Sequence, residues 1–166
     1  DIGSGLGFPG LALASVRPEL NVVLLDAARK KITASALMAR RCELNNVEAM
    51  WGRAEEIAVS GSPHHGGYDF ATARALAPLA VIAEYAAPLL SVGGMLIAWK
   101  GSPQAAELSA ASSACSQLGL EPVDPHFVEP YPGSGRRMLW AARKIGPTPE
   151  RFPRRPGQAA RTPLAT

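Results

Sequence analysis

The first ten residues, DIGSGLGFPG, constrain the fold more than any other stretch of the chain. Four glycines and a proline follow a single aspartate. Glycine-rich turns of this kind lie between a buried strand and a helix, where backbone without side chains approaches a ligand. We therefore expect a ligand at this loop, with Asp1 as the last residue of a strand.

The glycine loop fits two different cofactor patterns. Gly5, Gly7 and Gly10 match G-x-G-x-x-G, which binds the pyrophosphate of a dinucleotide at a helix N-terminus. Gly3, Gly5 and Gly7, with Asp1 two residues upstream, match the loop typical of S-adenosylmethionine-dependent methyltransferases. The loop by itself leaves both cofactors open, and a plain tight turn as well.

Downstream of the loop, strand and helix patterns alternate. Apolar runs predict strands at 21–26, 47–51, 68–73, 93–101, 123–128 and 137–143, and helical patterns cover 10–18, 27–44, 77–90 and 102–119. This order predicts an α/β fold with a doubly wound, Rossmann-like, largely parallel sheet. The last two strands have no helix between them, so we expect an antiparallel hairpin at one edge.

Candidate ligand-binding residues follow the predicted parallel strands, whose carboxyl ends form the binding edge of such sheets. Asp26 ends the strand 21–26 and either accepts hydrogen bonds from ribose hydroxyls or caps the next helix. GRAEEI (52–57), ATARALAPL (71–79) and AWKG (98–101) follow three further strands. These positions and the terminal strand pair favour a methyltransferase over a dehydrogenase.

The charge of the chain is concentrated at its C-terminal end. The net charge is +3, but residues 136–166 hold eight basic residues and Glu150, a local charge of +7. We expect residues 1–145 to form the globular domain and the proline-rich residues 146–166 to form an extended basic arm. Such an end suggests a polyanionic partner, RNA first, or a solvated tail that aids solubility. The two cysteines, Cys42 and Cys115, indicate reduced helix-packing residues of a cytoplasmic protein.

Several segments taken together resemble one family, the ribosomal RNA small-subunit methyltransferase G family, also called glucose-inhibited division protein B. They are DIGSGLGFPGLALA, LLDAARKK, NNVEAMWGRAEE, ATARALAPL, GGMLIAWKG, GRRMLWAARK and PERFPRRPGQAARTPL, in the family's order over nearly the whole chain. The resemblance implies transfer of a methyl group from S-adenosylmethionine to N7 of a guanine in a loop of 16S rRNA. It also implies 16S rRNA or a ribosomal precursor as partner. We expect a monomer without a membrane partner.

The resemblance assigns residues to the cofactor and to RNA. For the cofactor they are Gly3, Phe8, Ala54, Glu55 and Arg74, to which the strand and loop patterns add Gly5 and Asp26. For RNA they are Lys30, Arg53, Lys100 and Arg137, with Arg74 as a further basic match. Arg136 leaves the assignment of Arg137 uncertain by one position.

Guanine N7 carries a lone pair and no proton, so we expect no catalytic acid–base pair. His64 and His65 share a loop without Cys or acidic residues at metal-ligand spacing, and we predict no metal site.

The family carries an N-terminal helical segment and a first strand before the glycines, which we expect to be absent from this chain. Residues 1–166 in isolation are then expected to aggregate or to melt without cooperativity. A nicotinamide-dependent oxidoreductase and a non-catalytic RNA-binding fragment remain the alternatives.

Overall fold

The computed structural model describes residues 1–164. The elements are α1 (Gly10–Val16), β1 (Val22–Asp26), α2 (Arg29–Arg41), β2 (Val47–Trp51), α3 (Ala54–Ile57), β3 (Tyr68–Arg74), α4 (Leu79–Ala86), β4 (Leu90–Lys100), α5 (Ala105–Leu118), β5 (Leu120–Val128), β6 (Arg137–Lys144) and α6 (Gln158–Arg161). This alternation confirms the predicted α/β class. The four-residue helices α3 and α6 were not predicted, because one turn is too short to show a helical period.

The strands form two hydrogen-bonded groups, β1–β2 and β3–β4–β6–β5. Asp1 and Ile2 lie between them. Ile2 forms a parallel bridge with Leu25 of β1, and its N–H donates to the Thr72 carbonyl of β3 at 2.8 Å. The carboxyl ends of β1, β2, β3 and β4 therefore meet at one edge, and the chain leaves Ile2 into the glycine loop at that edge.

The last two strands form the predicted antiparallel hairpin. β6 pairs antiparallel with both β4 and β5, which makes β5 the outer strand. Pro122 and Pro125 lie in β5, where the register shifts between Val123 and His126. Proline is tolerated in a strand with one free edge, and it protects that edge from pairing with another chain.

The main core packs α4 and α5 against the sheet. α4 is buried at every position except the half-buried Tyr85, as expected of a helix that is apolar on all sides apart from Glu84. Cys115 of α5 is buried as expected, whereas Cys42 is exposed because it lies just beyond the last turn of α2. Within residues 1–164, no helix has the length and apolarity to cross a bilayer.

The C-terminal residues 146–164 are packed against the domain rather than extended from it. Phe152 and Ala159 are buried in this segment, with exposed fractions of 4% and 1%. The Arg154 guanidinium donates to both carboxylate oxygens of buried Glu84 in α4, at 2.6 and 2.5 Å. The expectation of an extended arm is therefore wrong for residues 146–164, and residues 165–166 lie outside the described residues.

Candidate active site

The glycine loop is held close to the end of β1. Gly5 has φ +59°, a conformation that favours glycine, and its N–H donates to Asp26 Oδ2 at 2.9 Å. A Cβ at Gly5 would meet open space, whereas one at Gly3 would come within 2.5 Å of Leu76 Cδ1. Gly3 thus allows Leu76 to pack on the loop, and Gly5 leaves a bare backbone surface.

Asp26 organises two segments of backbone. Its Oδ2 accepts from Gly5, and its Oδ1 accepts from the Ala28 N–H at 2.8 Å, at the start of α2. The Ala28 N–H belongs to the residue before the first turn of α2, so Asp26 does not cap the helix as weighed from the sequence. It fixes the chain that enters α2 and the glycine loop. Each carboxylate oxygen of Asp26 keeps a second lone pair and can therefore accept a further hydrogen bond from a ligand.

A cleft of about 120 Å³ opens between the glycine loop, the end of β1 and α3. Its lining includes Gly3, Asp26, Arg53, Ala54, Glu55, Leu76 and Tyr85. A second recess of about 270 Å³, lined in part by Trp51, Arg53 and Glu56, adjoins it across Ala27 and Gly52. The cleft lies at the carboxyl edge of the sheet, where parallel α/β sheets bind ligands.

The structure brings together four of the seven residues predicted to bind a cofactor: Gly3, Asp26, Ala54 and Glu55. Gly5, Phe8 and Arg74 are not part of the cleft lining, and Phe8 and Arg74 are exposed. The sequence analysis missed Leu76 and Tyr85 as lining residues. Leu76 lies in the ATARALAPL segment, whereas Tyr85 lies inside an apolar helix whose pattern indicates only core packing.

Glu55 is the second carboxylate of the cleft. It is 7% exposed, and its Oε1 accepts from the Gly157 N–H at 2.9 Å. Burial raises the pKa of the neighbouring Tyr85 hydroxyl, and the Glu55 and Glu84 carboxylates raise it further. The two carboxylates Asp26 and Glu55 make this a site for hydroxyl and ammonium donors.

The dinucleotide pattern of the loop does not form an anion site. The Gly10 N–H, at the start of α1, donates to Asp1 Oδ2 at 3.0 Å, and the Leu11 N–H donates to the Gly7 carbonyl. A carboxylate thus already lies where a pyrophosphate would bind and would repel it. A Cβ at Gly10 would lie 2.3 Å from Leu24 Cδ2, so this glycine serves packing of α1 on β1.

The predicted RNA-contacting residues fall into two groups on either side of the cleft. Lys30 and Arg53, both exposed, lie near the ends of β1 and β2. Lys100 and Arg137 lie at the ends of β4 and β6, where Lys100 pairs with Met138 and an Arg137 nitrogen lies 3.7 Å from a Cβ built on Gly101. Arg74, at the end of β3, belongs to the second group.

Lys100 is not a free cation. Its Nζ lies 2.6 Å from Glu107 Oε1 of α5 and donates to the Ala77 carbonyl at 3.2 Å. The same Glu107 oxygen accepts from the Leu79 N–H at the start of α4. Lys100 therefore ties β4 to α4 and α5, and Arg74 and Arg137 are the more accessible charges of this group.

The two loop histidines are occupied by local contacts. His64 Nδ1 lies 2.7 Å from the Tyr68 hydroxyl, and His65 Nδ1 lies 2.8 Å from the Ala58 carbonyl. Across residues 1–164, no group of three or more His, Cys, Asp or Glu side chains is arranged to hold a metal ion.

Known proteins match this chain over a range that includes every residue lining the cleft. The family model for rRNA small subunit methyltransferase G matches residues 1–132. The ribosomal RNA small subunit methyltransferase G of Deinococcus radiodurans is 43% identical over 166 residues, covering 99% of this chain and 64% of the relative. That of Symbiobacterium thermophilum is 37% identical over 169 residues, covering 99% and 68%. The chain thus spans about two thirds of the length of these curated relatives.

Solved structures give the fold. A 16S rRNA (adenine(1408)-N(1))-methyltransferase from Catenulisporales acidiphilia, solved with its cosubstrate, superposes with a TM-score of 0.69 at 18% identity, covering 90% of this chain and 85% of that one. A SAM-dependent methyltransferase from Methanosarcina mazei has a TM-score of 0.65 at 17% identity, covering 87% and 91%. Both share the Rossmann-like methyltransferase fold. The sequence matches go further, and the chain belongs to the rRNA small subunit methyltransferase G family.

Proposed function

We propose that this chain binds S-adenosylmethionine in the cleft at the glycine loop and methylates N7 of a guanine in 16S rRNA. The observation that carries the proposal is the extent of the family match, because residues 1–132 include every residue that lines the cleft. No comparison supports the oxidoreductase alternative, and the carboxylate at the start of α1 argues against it.

The polar groups of the cleft fit this ligand. Asp26 and Glu55 supply acceptors for ribose hydroxyls and for an ammonium group, and the bare Gly5 backbone faces open space. Ser4, in the glycine loop, is 4% exposed, and its Oγ has no hydrogen-bond partner among the described residues. A buried hydroxyl without a partner is costly unless a ligand or water satisfies it.

The reaction needs positioning more than proton transfer. S-adenosylmethionine supplies an electrophilic methyl group on a positively charged sulfur. Guanine N7 would accept the methyl group with its own lone pair as the methyl–sulfur bond breaks and S-adenosylhomocysteine leaves as a neutral thioether, so no base has to remove a proton. Holding two reactants in line contributes on the order of 7–11 kcal/mol to such a step. We therefore assign no catalytic acid or base, and residues of the cleft and the RNA surface act by orientation.

We infer that RNA approaches over the β3–β4–β6–β5 side of the cleft. β1 and β6 are four strand spacings apart, about 19 Å, when the segment Asp1–Ile2 is counted between β1 and β3. A cofactor bound at the β1 end of the edge therefore leaves the β6 end to the RNA that accepts the methyl group. The hairpin between β5 and β6 carries Phe127, Tyr131 and Arg136, with the Arg136 guanidinium 3.7 Å from the Phe127 ring centre. Phe127 and Tyr131 are exposed, and aromatic and guanidinium planes stack on unpaired bases.

N7 lies in the deep major groove of A-form RNA, so the target guanine has to be in a loop or unstacked. An exposed aromatic hairpin beside Arg74 and Arg137 fits such a strand. We further infer that residues 1–145 form the methyltransferase domain and residues 146–166 its C-terminal segment, acting as a monomer in the cytoplasm.

A strain-matched pair of glycine variants tests the cofactor site. Gly5 and Gly61 have φ +59° and +82°, and a Cβ at either would meet open space. Gly5→Ala and Gly61→Ala thus carry the same type of backbone strain, but of the two only Gly5 is hydrogen-bonded to a residue that lines the cleft, Asp26. We expect Gly5→Ala to weaken S-adenosylmethionine binding at least about tenfold by calorimetry, with Gly61→Ala at the wild-type value.

NAD and S-adenosylmethionine are compared on the wild-type chain in the same titration. Binding of NAD in preference to S-adenosylmethionine would overturn the proposal. Methyl transfer is then measured on unmodified 16S rRNA and on small ribosomal subunits, with strand cleavage at 7-methylguanine as the readout. If the chain binds the cofactor but transfers no methyl group to either RNA substrate, the proposed function is reduced to binding of cofactor and RNA.

A further inference from the structure

The C-terminal segment reaches into the wall of the cleft. We define the strap as Glu150–Leu164, which begins in the turn after β6 and ends beyond α6. It is fixed at three points: buried Phe152, the Arg154–Glu84 ion pair, and the Gly157 N–H donated to Glu55 Oε1. The last contact joins the strap to a carboxylate that lines the cleft.

The geometry around Glu55 leaves one oxygen for a ligand. Oε1 is held by Gly157, whereas Oε2 has no hydrogen bond from residues 1–164 and is not among the fully buried unpaired atoms. Glu55 has a flexible side chain, and α3 is a single turn that does little to restrict its rotamer. The N–H from the strap is therefore the contact that fixes the direction of Oε2.

Gly157 is suited to this role by its conformation. Its φ is +77°, a region that favours glycine, and the turn it makes aims the N–H at Glu55. On one side of it, Arg154 is anchored to Glu84, which neighbours the cleft residue Tyr85 in α4. On the other side, Ala159 is 1% exposed. The N–H donor is thus held from both directions.

We propose that the strap is part of the cofactor site, with Gly157 as a positioning residue that acts through Glu55. This inference rests on the proposed binding of S-adenosylmethionine in the cleft. It assigns a cofactor-related role to a segment that composition identifies as a basic tail and that lies beyond the residues matched by the family model, 1–132.

A double-mutant cycle on the full chain tests the proposal. Gly157→Ala introduces strain but no clash, because a Cβ there would meet open space. We expect the strain to move residue 157 away from φ +77° and to turn its N–H off Glu55, which then is no longer held in the direction that accepts from the ligand. Binding of S-adenosylmethionine should weaken by about tenfold, because the carboxylate must be ordered again on binding. In a Glu55→Ala background the same change has no further effect, because the group it positions is gone. Gly61→Ala is the strain-matched control.

Amide hydrogen exchange of the ligand-free chain gives an independent readout. The Gly157 N–H is expected to be protected in the wild type and in Glu55→Gln, which keeps an acceptor, and to lose protection in Glu55→Ala. Equal cofactor losses from Gly157→Ala in both backgrounds would show a merely structural strap and overturn the proposal. Unchanged affinity in Glu55→Ala would also overturn it while leaving the proposed function intact. A wild-type chain that fails to bind S-adenosylmethionine overturns both.

Discussion

The two carboxylate side chains of the cleft both face the cleft and hold distant backbone in place. Asp26 and Glu55 face the cleft, and each also accepts a hydrogen bond from backbone distant in sequence, Gly5 and Gly157. Such carboxylates are restricted before any ligand arrives, so less conformational entropy is lost on binding. Removal of either carboxylate therefore affects folding and binding together, and only variants matched for backbone strain separate the two effects.

Lys144, at the end of β6, is a buried charge with no acidic partner among residues 1–164. Its residue is 2% exposed, and its Nζ donates to the Leu118 carbonyl at 2.8 Å and to the Thr148 hydroxyl. Leu118 is the last residue of α5, where helix carbonyls lack partners within the helix. Burial lowers the pKa of this ammonium to about 8. Lys144 thus donates to a carbonyl at the end of α5, and the cost is that its ammonium group is removed from water.

The lowered pKa of Lys144 predicts a pH-dependent stability. Between about pH 8 and the ordinary lysine value of 10.5, the unfolded chain binds a proton that the folded chain has released. The free energy of unfolding contributed by this group therefore rises with pH through that window, by at most about 1.4 kcal/mol per pH unit. Urea unfolding of the wild type and Lys144→Met at about pH 7 and about pH 10 measures it.

The expected result is that the wild type gains stability relative to Lys144→Met on going to the higher pH. Lys31→Met, which changes an exposed lysine, is the control and should show no such gain. A stability difference between wild type and Lys144→Met that stays constant with pH would contradict the prediction.

At the level of elements, α4 connects the cleft to the strap. Its apolar sequence buries it between α5 and the sheet, and Glu84 is the one charged residue in it. Glu84 is 2% exposed and its partner Arg154 lies 70 residues away in sequence. A buried carboxylate of this kind is tolerated because the guanidinium binds both of its oxygens.

Removing one partner of this pair should cost more than removing both charges. We expect Arg154→Met to reduce the free energy of unfolding by about 3–5 kcal/mol, because Glu84 is left buried and unpaired. The double variant Glu84→Gln with Arg154→Met should lose distinctly less. Arg155→Met, at an exposed position of the strap, should change stability by less than about 0.5 kcal/mol. Equal losses in the single and double variants, measured by urea unfolding, would count against the pair.

Across the whole molecule, positive charge surrounds the cleft on one edge of the sheet. Lys30 and Arg53 lie on one side, Arg74 and Arg137 on the other, and Lys100 is partly neutralised by Glu107. The strap contributes Arg151, Arg155 and Arg161 at exposed positions, whereas Arg154 is committed to Glu84. One arginine of the strap thus stabilises the fold while three others are exposed at the surface, and the net charge does not show this difference.

The salt dependence of RNA binding distinguishes these charges. Arg137→Gln should weaken binding and lower the slope of log affinity against log salt by about 0.7–0.9, the value for one phosphate contact. Lys100→Gln should lower the slope less, because Glu107 already offsets its charge. Arg17→Gln, paired with Glu19 beyond α1, is the control. A slope that is the same in Arg137→Gln and wild type would remove Arg137 from the interface.

Local patterns predicted most elements closely. β2 begins and ends at the predicted residues, and β1 and α5 differ from prediction by a few residues at their ends. These elements carry their own signals: continuous apolar runs, and a glycine with φ +69° that ends α5. α3, α6 and the exposure of Cys42 were missed, because a single turn has no period and a helix end is uncertain by a residue or two.

Sequence patterns alone predict the fold class, the glycine loop and the acidic residue that ends β1, because backbone conformation and strand burial are local properties of the chain. The family resemblance added the chemistry. The folded structure was needed to show which predicted residues share the cleft, and that Lys100 and Arg154 are held by acids. It also decided that the basic end is a strap bound to Glu55 and Glu84. The two strap contacts join residues 102 and 70 positions apart in sequence, and their strength depends on burial that no local pattern encodes.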